Sequence, residues 1–408
     1  MSLEPSDHAM PRDYLQRVQN ILLTLVDDPD PDMAHDRPAQ GWMGHNDPAT
    51  VALNHVRPMV LLALLTCAVQ RAEEALSPSP GGVQGLGSVR LDPGLRAILE
   101  RKLDHTVEPS RSVRSIYGRC LYHLYWLDQK WAEGNIDRIL PLDGDDESVQ
   151  RFVAAWDSYV IFNPLYANMF PLLRTRYERA IANLKQGNIT KTHLEPDRRL
   201  AEHLVLAYLY VETDIGFVAD SQNLIAIYFR EVAAEARGRA AWVLWRFCEE
   251  NLADVDRFWP KIRALWEWRM HEAAGADHSL DFDAEMEWFA HLLPLAASRE
   301  SIISVWPLAE GLIPHVTRSG QRSMGRDAIE EYVGLEVDRD PVRAIQLYRL
   351  LCEQGKQPMW YSTTEERRII LEKAAADERS RDQTLALIDS LVRCGDYRSR
   401  DIYERYAT

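Results

Sequence analysis

No stretch of this 408-residue chain stays apolar for long. The longest uncharged apolar run, Pro58 to Val69, lies between Arg57 and Arg71 and falls well short of the ~20 residues a membrane-spanning helix needs. It is expected to be a buried core helix, and the acidic segment Met1 to Asp13 has no apolar core of the kind a signal peptide needs. Cysteine is scarce: Cys67, Cys120, Cys248, Cys352 and Cys394 are dispersed, odd in number and without CxxC spacing. That argues against a disulfide framework or a zinc site and suits free thiols in a reducing cytoplasm. Positive charge is in deficit, with a net charge of −15, which disfavours a dedicated nucleic-acid binder. Alternating runs of Val, Ile or Thr long enough for a strand are also missing.

Signatures of chemistry are equally sparse. GxxxxGKS/T is absent, so no nucleotide or other cofactor is expected. HExxH is absent, the twelve His are scattered without ligand spacing, and no Gly-x-Ser-x-Gly elbow occurs. Asp281, Asp283, Glu285, Glu287 and His291 form the densest acidic group. Glu287 and His291, four apart, are expected to form an exposed helix pair rather than a metal site. The chain is therefore expected not to be an enzyme.

What is present is helical period almost everywhere. Val113, Ile116, Cys120, Leu124, Leu127 and Trp131 step by three or four, as do Trp259, Ile262, Trp266 and Met270. The pattern predicts helices over, among others, 48–76, 110–126, 222–236, 239–252, 283–298 and 381–394. Links rich in Pro, Gly and Asp separate them, and the acidic segment Asp27 to Gly44 is expected to stay solvated. Several helices are apolar on more than one face and so need neighbours on two sides. The expected fold is all-α: an irregular α-solenoid of stacked TPR- or HEAT-like helix pairs, with a large irregular multi-helix globule as the alternative. No strict repeat period holds. The chain divides best at Gln186 to Asp197, giving halves 1–190 and 191–408 of one continuous solenoid.

Two segments stand out. Asp47-Pro48-Ala49-Thr50-Val51-Ala52-Leu53-Asn54-His55-Val56-Arg57 and Glu108-Pro109-Ser110-Arg111-Ser112-Val113-Arg114-Ser115-Ile116-Tyr117-Gly118 are each a Pro- or Ser-capped entry into a long apolar helix, with an Asn or Arg on its first turns. Together they resemble the C-terminal helical region of bacterial antiviral STAND-type NTPases, which reads close to DPxTxAINSVRG and then SVRxVYG. A third stretch is similar too: an Ile388-Asp389-Ser390-Leu391 helix, a stop at Gly395, then Tyr397-Arg398 and Arg400-Asp401. His55 replaces the usual Ser and Pro58 the usual Gly, so close backbone packing is not expected there. The NTPase that precedes this region in those proteins has no counterpart in the sequence.

The resemblance implies a cytoplasmic, protein-binding sensor that recognises a phage structural or packaging protein, with no catalytic residues. The alternative is an adaptor that recruits a separately encoded effector. Neither nucleic acid nor membrane is an expected partner. Asn54 and Arg57 share a helix face, as do Arg111 and Arg114, and buried donors of this kind usually tie a helix to the carbonyls of a neighbouring loop. Arg111 and Arg114 are also candidate partner contacts, with Trp360 and Tyr361 in the loop Gly355 to Thr363 as candidate exposed anchors. Trp242, Trp245, Trp259, Trp266, Trp268 and Trp288 are expected to be core packing between stacked helices. The basic run from Arg174 to Arg199 is expected to be a solvated face with local ion pairs.

Overall fold

The computed structural model describes residues 12–32, 47–76, 90–188, 192–212, 222–276, 281–318, 323–354 and 364–407. The fold is all-α: more than two-thirds of the chain is helical and no strand occurs among the described residues. Its contacts divide it into two compact units, Met1–Val211 and Glu212–Thr408. The division falls one helix later than the sequence pattern placed it, because the helix after the 186–197 link packs back onto the first unit.

The first unit begins with α1 (Arg12–Leu25), α2 (Pro48–Asn54), α3 (Val56–Leu76), α4 (Pro93–Lys102) and α5 (Arg111–Arg119). It continues through α6 (Leu121–Leu127), α7 (Gln129–Ile139), α8 (Asp146–Phe162), α9 (Phe170–Gln186) and α10 (Pro196–Tyr210). Asp47, Asp92, Ser110, Asp128 and Asp145 cap α2, α4, α5, α7 and α8, each accepting from a backbone N–H of the first turn. The expected helix 48–76 is two helices bent by 83° at His55. His55 is extended, and Asp30 accepts from the backbone N–H of Val56 at 2.7 Å while meeting His55 Nδ1 at 2.6 Å. Pro58 sits in the first turn of α3, where a missing N–H costs nothing. No single helix among the described residues is long and apolar enough to cross a membrane.

The second unit contains α11 (Leu224–Glu231), α12 (Ala234–Glu250), α13 (Val255–Gly275), α14 (Asp283–Ala290), α15 (Leu293–Ala297) and α16 (Ile302–Thr317). It ends with α17 (Met324–Glu336), α18 (Pro341–Gln354), α19 (Thr364–Ala376), α20 (Arg381–Arg393) and α21 (Arg400–Tyr406). Every substantial helix packing here joins elements at most three places apart along the chain, which is the order of stacked helix pairs. The expected helix 283–298 is interrupted at His291 and Leu292, and the first turn of α12 claims residues that the pattern gave to the helix before it. At the third motif, the Gly395 and Asp396 N–H groups return to the carbonyls of Val392 and Leu391, closing α20 as its sequence suggested.

Candidate functional site

The two motif segments, distant in sequence, interlock in the first unit. α2 and α5 pack together, and α5 lies along α8. Beneath this contact Glu108, 3% exposed, meets Arg57 Nε at 2.8 Å and Lys102 Nζ at 2.8 Å. Arg57 also donates to the carbonyls of Asp28 (2.6 Å) and Pro31 (3.0 Å), while Lys102 and Arg101 reach Asp27. The start of the acidic segment is thus tied to α3 and α4 through Asp27, Asp28 and Asp30, while Asp27 and Asp32 keep an exposed side. Local composition hid this, because its basic partners lie on other helices. Residues 33–46 fall outside the described part.

Arg114 is buried at 2% exposure and donates to the carbonyls of Leu103 (3.1 Å) and Arg138 (3.2 Å). It therefore ties helix ends together and offers a partner nothing to touch. Arg111 lies half-buried at the edge of the same helix, 3.0 Å from Glu147. Asn54 is exposed and bonds back to the Thr50 carbonyl. Trp360 and Tyr361 lie outside the described residues.

α5 and α8 approach so closely that a Cβ on Gly118 would sit 1.7 Å from the Ala155 carbonyl oxygen. Asn163, at the end of α8, donates from its amide to the Arg119 (3.1 Å) and Tyr159 (3.0 Å) carbonyls, satisfying a helix end that α6 does not continue. That explains why the expected helix 110–126 breaks at Cys120. The Asn163 carbonyl accepts from His203 Nε2 at 2.9 Å, so His203 Nδ1 carries no proton and accepts from the Tyr177 hydroxyl at 2.8 Å. Burial lowers the His203 pKa to about 4.

In the second unit, Gly238 allows close approach of α12 and α14, since a Cβ there would lie 2.9 Å from the Ala284 carbonyl oxygen. Beneath that contact Glu285 bridges Arg237 (3.0 Å) and Arg269 (2.9 Å), all three buried, with the Phe282 ring 5.3 Å and 5.0 Å from the two guanidinium groups. Above it the helices present a half-buried aromatic platform. Trp245 and Trp288 stack at 5.4 Å, His291 lies 5.1 Å from Trp245, and Trp242 meets Trp288 edge-on at 6.4 Å. The Arg246 guanidinium lies 5.3 Å from the Trp242 ring. Burial lowers the His291 pKa, partly offset by Asp327, so the ring is neutral near pH 7.

The tryptophan expectation therefore divides. Trp266 and Trp259 are core, Trp259 donating to Glu300, whereas Trp242, Trp245 and Trp288 remain half-buried. On α12 the rings of Trp242 and Trp245 lie beside the buried stripe of Val243, Leu244 and Phe247 rather than in it.

The acidic group expected on α14 is dispersed. Glu285 serves the buried triad, Glu287 accepts from Gly325 N–H, and Asp283 meets His315 and Arg318. Glu287 and His291 form no pair of their own: His291 stacks with tryptophan. Among the described residues no group of three His, Cys, Asp or Glu could hold a metal ion. In the basic run Arg174 pairs locally with Glu178 and Arg199 with Glu202, whereas Arg176 is buried and reaches Asp137 on α7 instead of lying on a solvated face. All five cysteines are free, and burial pushes the Cys120, Cys248 and Cys352 thiols up to about 12, so these are not thiolates at neutral pH. Comparison with protein-family models, with curated proteins and with solved structures gives no match for this chain.

Proposed function

We propose that this chain is a non-catalytic, protein-binding sensor module that recognises a phage structural or packaging protein in bacterial antiviral defence. The observation that carries the reading is the interlocked junction of the two motifs. Two segments that resemble one family's sensor signature, and are linked by nothing in local sequence, meet at Glu108 and along α5. A framework signature should behave this way, with its residues buried and bonded to one another. The stacked helix pairs of the second unit fit the TPR- or HEAT-like architecture that such sensors use to present broad surfaces.

The platform of Trp242, Trp245 and Trp288 with Arg246 has the composition of an interface anchor, since Trp and Arg dominate interface energetics. Arg111 is the remaining candidate contact in the first unit. The test is co-expression of the chain with individual phage capsid, portal and terminase proteins, followed by co-purification and a dissociation constant for any complex. One phage protein should co-purify, and Trp245→Ala with Trp288→Ala should weaken it by about 2–4 kcal/mol. If no phage protein binds and a host enzyme co-purifies instead, the adaptor reading replaces this one.

A further inference from the structure

The break between α5 and α6 opens a cleft of ≈ 300 Å³ between α3, α6 and the end of α8, at the small end of the range for ligand pockets. Its apolar wall is made by Leu62, Leu65 and Val69 of α3 and by Phe162. Tyr166, stacked on Tyr122 with centroids 3.5 Å apart, closes one side. One lining side chain carries a permanent charge. Arg119 lies with its guanidinium 4.1 Å from the Phe162 ring centroid, and its Nη1 is buried with no hydrogen-bond partner among the described residues.

The other titratable groups lining the cleft are neutral near pH 7. Burial raises the Cys120 thiol to about 12 and also raises Tyr166, while desolvation lowers His123 against the opposing field of Glu73. A buried guanidinium nitrogen without an acceptor is costly, and an incoming carboxylate would relieve that cost with a charge-assisted bond. One guanidinium matches a single negative charge. A phosphate dianion would remain half-compensated, because no second cation lines the cleft.

We propose that this cleft binds a small organic anion, a single carboxylate on a flat apolar body, with the carboxylate on Arg119 and the body between α3 and Phe162. The inference is independent of the sensor reading, because it concerns a small ligand in the first unit and not the protein partner. The probes are benzoate and 1-naphthoate, with benzamide and 1-naphthamide as uncharged isosteres, followed by saturation-transfer NMR on the full chain. The acids should bind at least about tenfold more tightly than the amides, and Arg119→Gln should erase that preference. Thr66→Phe fills the cleft from its exposed wall and leaves Arg119 in place, so it keeps the test valid if Arg119→Gln fails to fold. It should abolish acid binding without speeding amide exchange in α3 or α6. Equal binding of acids and amides, no acid binding up to millimolar concentration, or unchanged affinity in a folded variant overturns the proposal. A peptide ending in Phe that binds about tenfold more tightly than either acid also overturns it, assigning the cleft to a protein C-terminus.

Discussion

Glu108→Gln is the most direct probe of the motif junction. It preserves shape and removes only the charge that Arg57 and Lys102 share. Removing one partner of a buried ion pair typically costs about 3–5 kcal/mol. Here the cost should fall at the lower end, because Arg57 keeps the Asp28 and Pro31 carbonyls and Lys102 keeps Asp27 at 3.1 Å. About 3 kcal/mol is a large share of a stability on the order of 10 kcal/mol, and it corresponds to roughly a hundredfold in an opening equilibrium.

Two compact units make a single melting temperature ambiguous, so the assay is amide hydrogen exchange read by mass spectrometry. The slowest amides of α2, α3 and α5 should exchange roughly a hundredfold faster in the variant, with those of α16 to α18 unchanged. Adding Lys102→Met removes the ammonium left behind and should recover part of the loss, a coupling of about 1 kcal/mol or more. Exchange in α2 to α5 within threefold of the parent, or simple additivity in the double variant, would refute the charge-hub argument.

Gly118→Ala should destabilise the first unit by about 3 kcal/mol or more, since α5 and α8 must part to admit the Cβ; soluble expression and exchange rates in α8 report it. His203 has its pKa lowered from its ordinary 6.5 to about 4, so the unfolded chain binds the extra proton first as pH falls. Stability present above pH 6.5 should decline by about 3 kcal/mol towards pH 4, and His203→Asn should flatten that part of the stability–pH curve. Deletion from Asp382 onward removes the buried Leu387, Ile388, Leu391 and Ile402 and strips Arg367 of Asp396. Thermal denaturation should show the second unit losing about ten degrees or more, and an unchanged transition would make α20 and α21 a loosely attached tail.

Much of this fold was legible because helical period and capping residues are local. Ser110 and Asp128 announce their helices, and the Val113 to Trp131 stripe names the buried face even where the helix breaks. The breaks were not legible, because their causes are remote. Cys120 is no helix breaker by itself; the Asn163 amide takes the carbonyl of Arg119 from a position 44 residues away. Asp27 to Pro31 read as solvated because Arg57, Lys102 and His55 arrive from parts of the chain that no local pattern connects to them. The Arg237–Glu285–Arg269 triad was hidden for the same reason, since Glu285 reads as one more acid on an acidic helix.

The distribution of burial also constrains where recognition can reside. Arg57, Glu108 and Arg114 spend their hydrogen bonds and charge inside the first unit, so they can set the angle of α2 against α5 but cannot themselves read a ligand. A substitution at any of them that abolished recognition would therefore act through the fold, and hydrogen exchange would reveal it. Trp245 and Trp288 differ: their rings stack on each other at 5.4 Å yet stay half-exposed, held in place by Gly238 and the triad beneath. An aromatic pair already ordered in the free protein loses little side-chain entropy on binding. On the sensor reading proposed above, such a pair would therefore be a low-entropy route to affinity.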